Sequence, residues 1–329
     1  MGGVARPRIA ACIASLFWLA AICWLAAPAA AQGYPTRAVT IVVPFGPGSA
    51  TDTTARLIAQ GLQEALGRPF VVENKSGGGG LIAANAVARA EPDGYTLLIT
   101  TNSTHSAAPG LFKTVPYDPI KDFTAVARIG SFPSFLGVDP RLPIRSMAEL
   151  VAYAKQNPGK LIYGHGNSTG QIVGEALKHR TGIDMVRVAY RSVPAGMTDL
   201  MGGHICVMIP DFGNGLPQLQ AEKIRALAVL TAARNSRLPD VPTLNETVMP
   251  GFDLLAWVGL FGPAGMPEPV VARLAAETEK ILKNPALKAR FTAAGADTFW
   301  SDPQEFDAYV KSELTKWTSL IKEAGIEPE

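Results

Sequence analysis

Short runs rich in β-branched residues alternate with helix-length amphipathic segments along almost all of this chain. Residues 38–45, AVTIVVPF, have the composition of a buried strand, and DTTARLIAQGLQEALG from Asp52 has Ile58, Leu62 and Leu66 on one helical face with Gly67 as its stop. PFVVEN, LIAANAVARA and YTLLITT repeat the alternation as strand, helix and strand, and AVARIGSFPSFLGVD holds one or two more strands. A second set opens at Ser146, where Glu149 completes a capping box ahead of a helix over MAELVAYAKQ. It runs on through the strands LIYGHG, MVRVAY, ICVMIPD and IRALAVL, separated by the helices GQIVGEALKHRTG and AGMTDLMGG. LLAWVGLFGPAG then reads as a strand returning to the first set. Two long helices follow, the last with Phe306, Val310, Leu314, Trp317 and Ile321 at helical spacing. Strands separated by helices of this length imply right-handed βαβ units and a mainly parallel sheet. The fold class is α/β. Two lobes, crossed by chain segments near residues 132 and 255, would form a hinged clamp.

The first residues carry an address. Arg6 and Arg8 precede an apolar run over 9–28, and Ala29-Ala30-Ala31 supplies a small-residue cleavage site, so residues 1–31 read as a secretory signal peptide. Its length would suit a membrane span, but the small-residue end and the globular pattern directly after it favour cleavage and a periplasmic product. Ile22 stands where a lipid-anchor signal at Cys23 would need a small residue. Cys12 and Cys23 leave with the signal, and Cys206 alone remains, so no disulfide forms within the mature chain; a buried strand thiol is expected there. The chain has 30 basic and 28 acidic residues, and loss of two arginines leaves 28 against 28. Such a balance offers nothing to nucleic acid or to an anionic membrane surface.

Candidate chemistry is sparse. In FGPGSATD, Ser49 and Asp52 fit a capping box, with Asp52 chiefly a helix-start residue. Gly46 and Gly48 allow close backbone approach at the carboxyl end of a strand, which is where open α/β sheets bind ligands. A glycine-rich turn running into a helix N-terminus is an anion site. SGGGGLIAA has no Lys-Ser/Thr after its glycines, which excludes a Walker loop, and no acid follows at ribose distance; it reads as a turn that packs a helix closely. His105, His165, His179 and His204 lack metal-ligand spacing, and no G-x-S-x-G elbow occurs. No catalytic residue, metal or cofactor is therefore assigned. Polar, weakly charged loops follow several strands, over 100–106, 164–170, 190–195 and 211–214, and together suit a small polar solute.

The segments YPTRAVTIVVPFGPGSATDTTARLIA, VVENKSGGGGLIAANAVARAEPDGYTLL, YDPIKDFTAVARIG, VAYRSVPAGMTDLMGGHICVM, RLPDVPTLNE and AWVGLFGPAGMPEPVVARL occur in order from Tyr34 onward. They resemble the Bug family, the periplasmic solute receptors of tripartite tricarboxylate transporters. The resemblance implies a type II periplasmic-binding-protein fold, with two α/β lobes over a cleft that holds a carboxylate through backbone amides and water. It implies lobe one over 32–133 and 255–329, and lobe two over 134–254. By position, Phe45, Gly46, Gly48, Ser49 and Asp52 match the family's first carboxylate loop, although Ser49 replaces a usual glycine. Thr101, Asn102 and His105 match the cleft loop after the third strand. Asn167, Ser168, Thr169 and Gln171 match a second-lobe loop that is usually longer. His165 stands for a usual serine and Gln171 for a frequent histidine, while Arg191 and Asp211 sit at positions commonly basic and commonly Asp.

The expectation is a non-catalytic, monomeric receptor for a small carboxylate, delivering it to membrane permease subunits or to a sensor domain. Two alternatives stand beside it. One is a sensory or orphan receptor for an amino-acid-like solute, with Asp211 holding an ammonium group. The other, a secreted enzyme on a similar scaffold, would need a nucleophile–base pair that the sequence lacks.

Overall fold

The structure, a computed structural model, describes residues 33–329; the segment read as a signal peptide lies outside the described residues. Eleven strands form among the described residues: β1 (Val39–Val43), β2 (Phe70–Asn74), β3 (Thr96–Thr101), β4 (Phe123–Phe132), β5 (Phe135–Val138), β6 (Leu161–His165), β7 (Met185–Ala189), β8 (Val207–Met208), β9 (Arg225–Val229), β10 (Ala256–Pro263) and β11 (Asp297–Ser301). They make two sheets, a six-stranded one in the order β11-β4-β10-β3-β1-β2 and a five-stranded one in the order β7-β6-β8-β5-β9. The chain passes from the first sheet to the second between Phe132 and Phe135 and returns between Val229 and Ala256.

Helices cover both sheets: α1 (Ala50–Leu66), α2 (Leu81–Ala88), α3 (Ala108–Leu111), α4 (Met147–Gln156), α5 (Ser168–Thr181), α6 (Val193–Gly202), α7 (Phe212–Gln220), α8 (Glu268–Lys283), α9 (Pro285–Ala293) and α10 (Pro303–Glu323). β1 buries Val39, Ile41 and Val43 on one face and Val42 on the other. α1 turns Ile58 and Leu62 inward, each burial worth roughly 1.5–3 kcal/mol. It ends where Gly67 takes φ 68°, a left-handed C-cap that its lack of a Cβ permits. Ser146 Oγ accepts from the Glu149 N–H at 3.1 Å, so the predicted capping box opens α4.

Three expectations change. The sheets are mixed, not mainly parallel: β1–β2, β1–β3, β6–β7 and β6–β8 run parallel, but every pairing of β4, β5 and β10 is antiparallel. β5 and β10, which bring the chain into each sheet, run against the parallel strands there, whereas β4 keeps the direction of β3 and is antiparallel only to β10 and β11. Cys206 is half-buried and precedes a two-residue β8 rather than sitting inside a strand. Residues 211–214, read as a loop, are the cap and first turn of α7, and α9 and β11 carry too little pattern to be read at all.

α10 divides its face between the two halves of the molecule. Phe306 and Val310 join the cluster around Trp257 and Phe261 on the first sheet, while Trp317 and Ile321 join the core that includes Ile172 and Leu177 of α5. Leu314 is only half-buried; Glu313 is turned inward instead, its carboxylate accepting from the Trp317 indole N–H at 2.9 Å.

Candidate functional site

Four helices begin at one cavity. Ser49 ends the turn after β1 in extended geometry, and its Oγ accepts the Asp52 N–H at 3.2 Å at the head of α1. Asn167 does the same for α5, its Oδ1 accepting the Gly170 N–H at 3.0 Å. Ser192 precedes α6 without a side-chain cap bond, and Asp211 caps α7 by accepting the Asn214 N–H at 3.0 Å. Each start leaves backbone N–H groups unpaired within its helix and carries the positive end of the helix dipole.

The cavity between them is small, about 20 Å³. The first lobe supplies Ser49, Thr51, Thr101, Asn102 and Ser103; the second supplies Ser134, Asn167, Thr169 and Asp211, with Phe45, Phe132, Val193 and Ala256 as apolar wall. Of the side chains that line it none is cationic, and Asp211 alone is ionisable. Burial pushes the Asp211 carboxyl above its usual range, against the smaller downward pull of the Asn214 N–H and amide. The lobes touch here through hydroxyls and one amide. Asn102 Nδ2 donates to Ser168 Oγ at 3.1 Å and to Thr169 Oγ1 at 3.4 Å, and Ser103 Oγ lies 2.9 Å from Ser168 Oγ. Asn102 Oδ1 is buried without a partner.

Of the residues expected at a site, Phe45, Ser49, Thr101, Asn102, Asn167, Thr169 and Asp211 line this cavity. Ser168, Gln171 and Arg191 line a neighbouring, more open cavity instead. Gly46 packs against the other lobe: a Cβ there would stand 3.1 Å from Ser192 Oγ. Gly48 adopts φ 80°, lines neither cavity, and gives its N–H to Asp52 Oδ2 at 3.0 Å. Asp52 serves the turn. Burial acts to raise its pKa, but bonds from Arg56, the Gly48 N–H and Asn74 outweigh that and hold it below its usual value.

His105 is a correction. It lies in a π-helical turn over Ser103–Ala107, fully buried, with Phe261 stacked 4.2 Å and Phe123 4.5 Å from its ring centre, and it lines neither cavity. Burial drives its pKa down to about 3, so the ring is neutral. The wider turn rotates His105 into the core while keeping Asn102 and Ser103 at the cavity. Thr51, Ser103 and Val193 also line it, within segments the sequence singled out without naming them, and Ser134 is a lining residue that sequence reasoning passed over. Ser134, in the strand-to-strand crossing, carried a readable signal, since a crossing between lobes must border their cleft.

A two-lobed α/β molecule with helix starts of both lobes turned onto one small polar cavity is a solute-binding receptor. The chain belongs to the tripartite tricarboxylate transporter receptor family, whose model matches residues 54–326. BugT of Bordetella pertussis is 31% identical over 304 residues, covering 92% of this chain and 93% of BugT. Among solved structures, a protein of R. palustris with adipate is 37% identical with TM-score 0.86, covering 90% of this chain and 100% of that one. MatC from Rhodopseudomonas palustris with bound malate is 34% identical with TM-score 0.83, covering 88% and 100%. The periplasmic binding protein BugD is 33% identical with TM-score 0.85, covering 90% and 100%. The family is one of receptors, and this chain is a receptor of that family. No helix among the described residues is long and apolar enough to cross a membrane.

Proposed function

We propose that this chain is a periplasmic receptor, exported by a cleaved signal peptide, that captures a small carboxylated organic anion by closure of its two lobes. The crossings near 132 and 255 act as the hinge, and the closed monomer delivers its load to the permease of a tripartite tricarboxylate-type transporter. One observation carries the reading: four helix N-termini and a ring of hydroxyls face a cavity that no cationic side chain lines. Helix starts favour an anion, and hydroxyls and backbone N–H groups can donate to it from several directions. The carboxylate bridges groups of both lobes, so it binds the closed form better and shifts the population toward it. Adipate and malate in the two R. palustris relatives support the ligand class.

A thermal-shift screen of carboxylates, amino acids and neutral sugars tests the proposal. Ligand at about 100 times its dissociation constant adds about 2.7 kcal/mol to stability, so at least one carboxylate should raise the melting temperature clearly. Stabilisation by sugars with none by carboxylates refutes it. A second reading has its own support: Asp211 and the unpaired Asn102 Oδ1 are acceptors in the same cavity. They favour a carboxylate that also carries a hydroxyl or ammonium donor, as an amino-acid-like solute would.

A further inference from the structure

α10 follows a strand of the first sheet but ends on the second lobe. Its last turns pack Trp317, Ile321 and Ala324 with Ile172 and Leu177 of α5. Alongside, Glu323 lies 3.7 Å from Arg180 near the end of α5. Gly325 then takes φ 66°, and a Cβ there would stand 3.1 Å from His179 Nδ1 of α5. A left-handed residue at this point ends the helix and redirects the chain.

The residues that follow go back to the first lobe. The Glu329 N–H donates to Leu111 O at 3.0 Å, and Glu329 O accepts the Lys113 N–H at 3.1 Å, at the end of α3. Its backbone is therefore fixed to the first lobe, while its side chain reaches the second. The carboxylate meets Arg187 Nη2 of β7 at 2.7 Å and accepts from Gln171 Nε2 of α5 at 3.5 Å. The other charged groups nearby are already engaged or neutral. Glu175 accepts from the Tyr163 hydroxyl at 2.5 Å and pairs with Lys178 at 3.0 Å. His165 is neutral, because burial and then the Arg187 charge push its pKa down to about 4. Leu111, Phe112, Gln171 and Glu329 border a cavity of about 330 Å³ beside the central one, so these contacts cross one side of the space between the lobes.

We propose that residues 325–329 are a strap between the lobes, fastened by the Glu329–Arg187 ion pair, that favours the closed form. Opening on this side must part the ion pair or pull Glu329 from Leu111 and Lys113. The paired side chains are 56% and 30% exposed, so salt screens them, whereas the two backbone bonds join neutral groups. The ion pair is the part that yields, and Glu329 is a positioning residue that acts through the relative placement of the lobes. This rests on the lobe closure proposed above and not on which solute is bound.

Single-molecule energy transfer tests it, with dyes at Ala86→Cys on α2 and Asp184→Cys ahead of β7, both exposed positions, in a Cys206→Ser background. Without solute and at low salt, Glu329→Gln should raise the ratio of open to closed molecules roughly two- to five-fold, the range of an exposed ion pair. Raising NaCl to about 1 M, where the Debye length is about 3 Å, should open the wild type by a similar factor and the variant by less. In an Arg187→Gln background, Glu329→Gln should have no further effect. Two populations whose ratio neither Glu329→Gln nor salt changes overturn the strap while closure stands. So does a lower open fraction in Glu329→Gln, which would make Glu329 a wedge, or an effect of that change that is the same without Arg187. One population in wild type and every variant, with and without adipate or malate, overturns closure and this inference with it.

Discussion

Asn102 gives the sharpest test of how the lobes and the ligand cooperate. It follows β3 on the first lobe, is 1% exposed, and reaches across to Ser168 and Thr169 on the second. Asn102→Ala removes both cross-lobe bonds. The 3.1 Å contact is worth about 1 kcal/mol net, and the longer 3.4 Å contact adds less. Ser168 Oγ keeps Ser103 Oγ at 2.9 Å, so that hydroxyl is not stranded and no large burial penalty is added. The closed form should lose about 1–2 kcal/mol relative to the open one, and the dissociation constant should rise roughly five- to thirty-fold. Because the bonds join lobes rather than elements within a lobe, the apo melting temperature should stay where it is. Titration calorimetry with the best ligand of the screen measures the first quantity, and a thermal melt without ligand measures the second. Affinity within two-fold of wild type would refute the closure argument. A fall in apo melting temperature matching the affinity loss would show that Asn102 holds a lobe together rather than closing it.

Gly46→Val should weaken closure without unfolding either lobe, since even a Cβ at this position comes within 3.1 Å of Ser192 Oγ across the cleft. An overpacking cost of about 1–3 kcal/mol corresponds to roughly 5- to 150-fold weaker binding, and undiminished affinity by calorimetry would remove this contact from the closure. His105 should make the fold acid-sensitive. Its pKa is depressed to about 3 in the folded state and near 6.5 unfolded, so only the unfolded chain takes up the proton as pH falls between those values. Stability is unaffected above pH ~6.5 and should be about 2 kcal/mol lower by pH ~5 from this residue alone. Urea unfolding of His105→Phe should have a shallower pH dependence across that window, and an identical profile would refute the assignment.

Local pattern was enough for the two sets of alternating strands and helices. Strand apolarity and caps such as Ser49, Ser146 and Gly67 act within a few residues, so they can be read along the chain. The turn from Phe45 to Asp52 and the loops near 101 and 167 were equally visible, because glycines and short polar residues after an apolar strand mark its carboxyl end. What the same residues face was not visible. Asp52 closes its own turn, His105 rotates into an aromatic core, and Gln171 and Arg191 line a different cavity from Asn167, which lies only four residues before Gln171. Sheet direction had the same limit: β5 and β10 look like any buried strand, and only the crossing between lobes reverses them. α10 divides its apolar face between two cores, which periodicity cannot express because it reports a face and not its partner. Sequence alone determined which segments become strands, helices and anion-directed turns, since those depend on neighbours along the chain. Which turns meet, and which side chains line the space between them, was decided by packing between residues far apart in sequence, as where Asn102 meets Ser168.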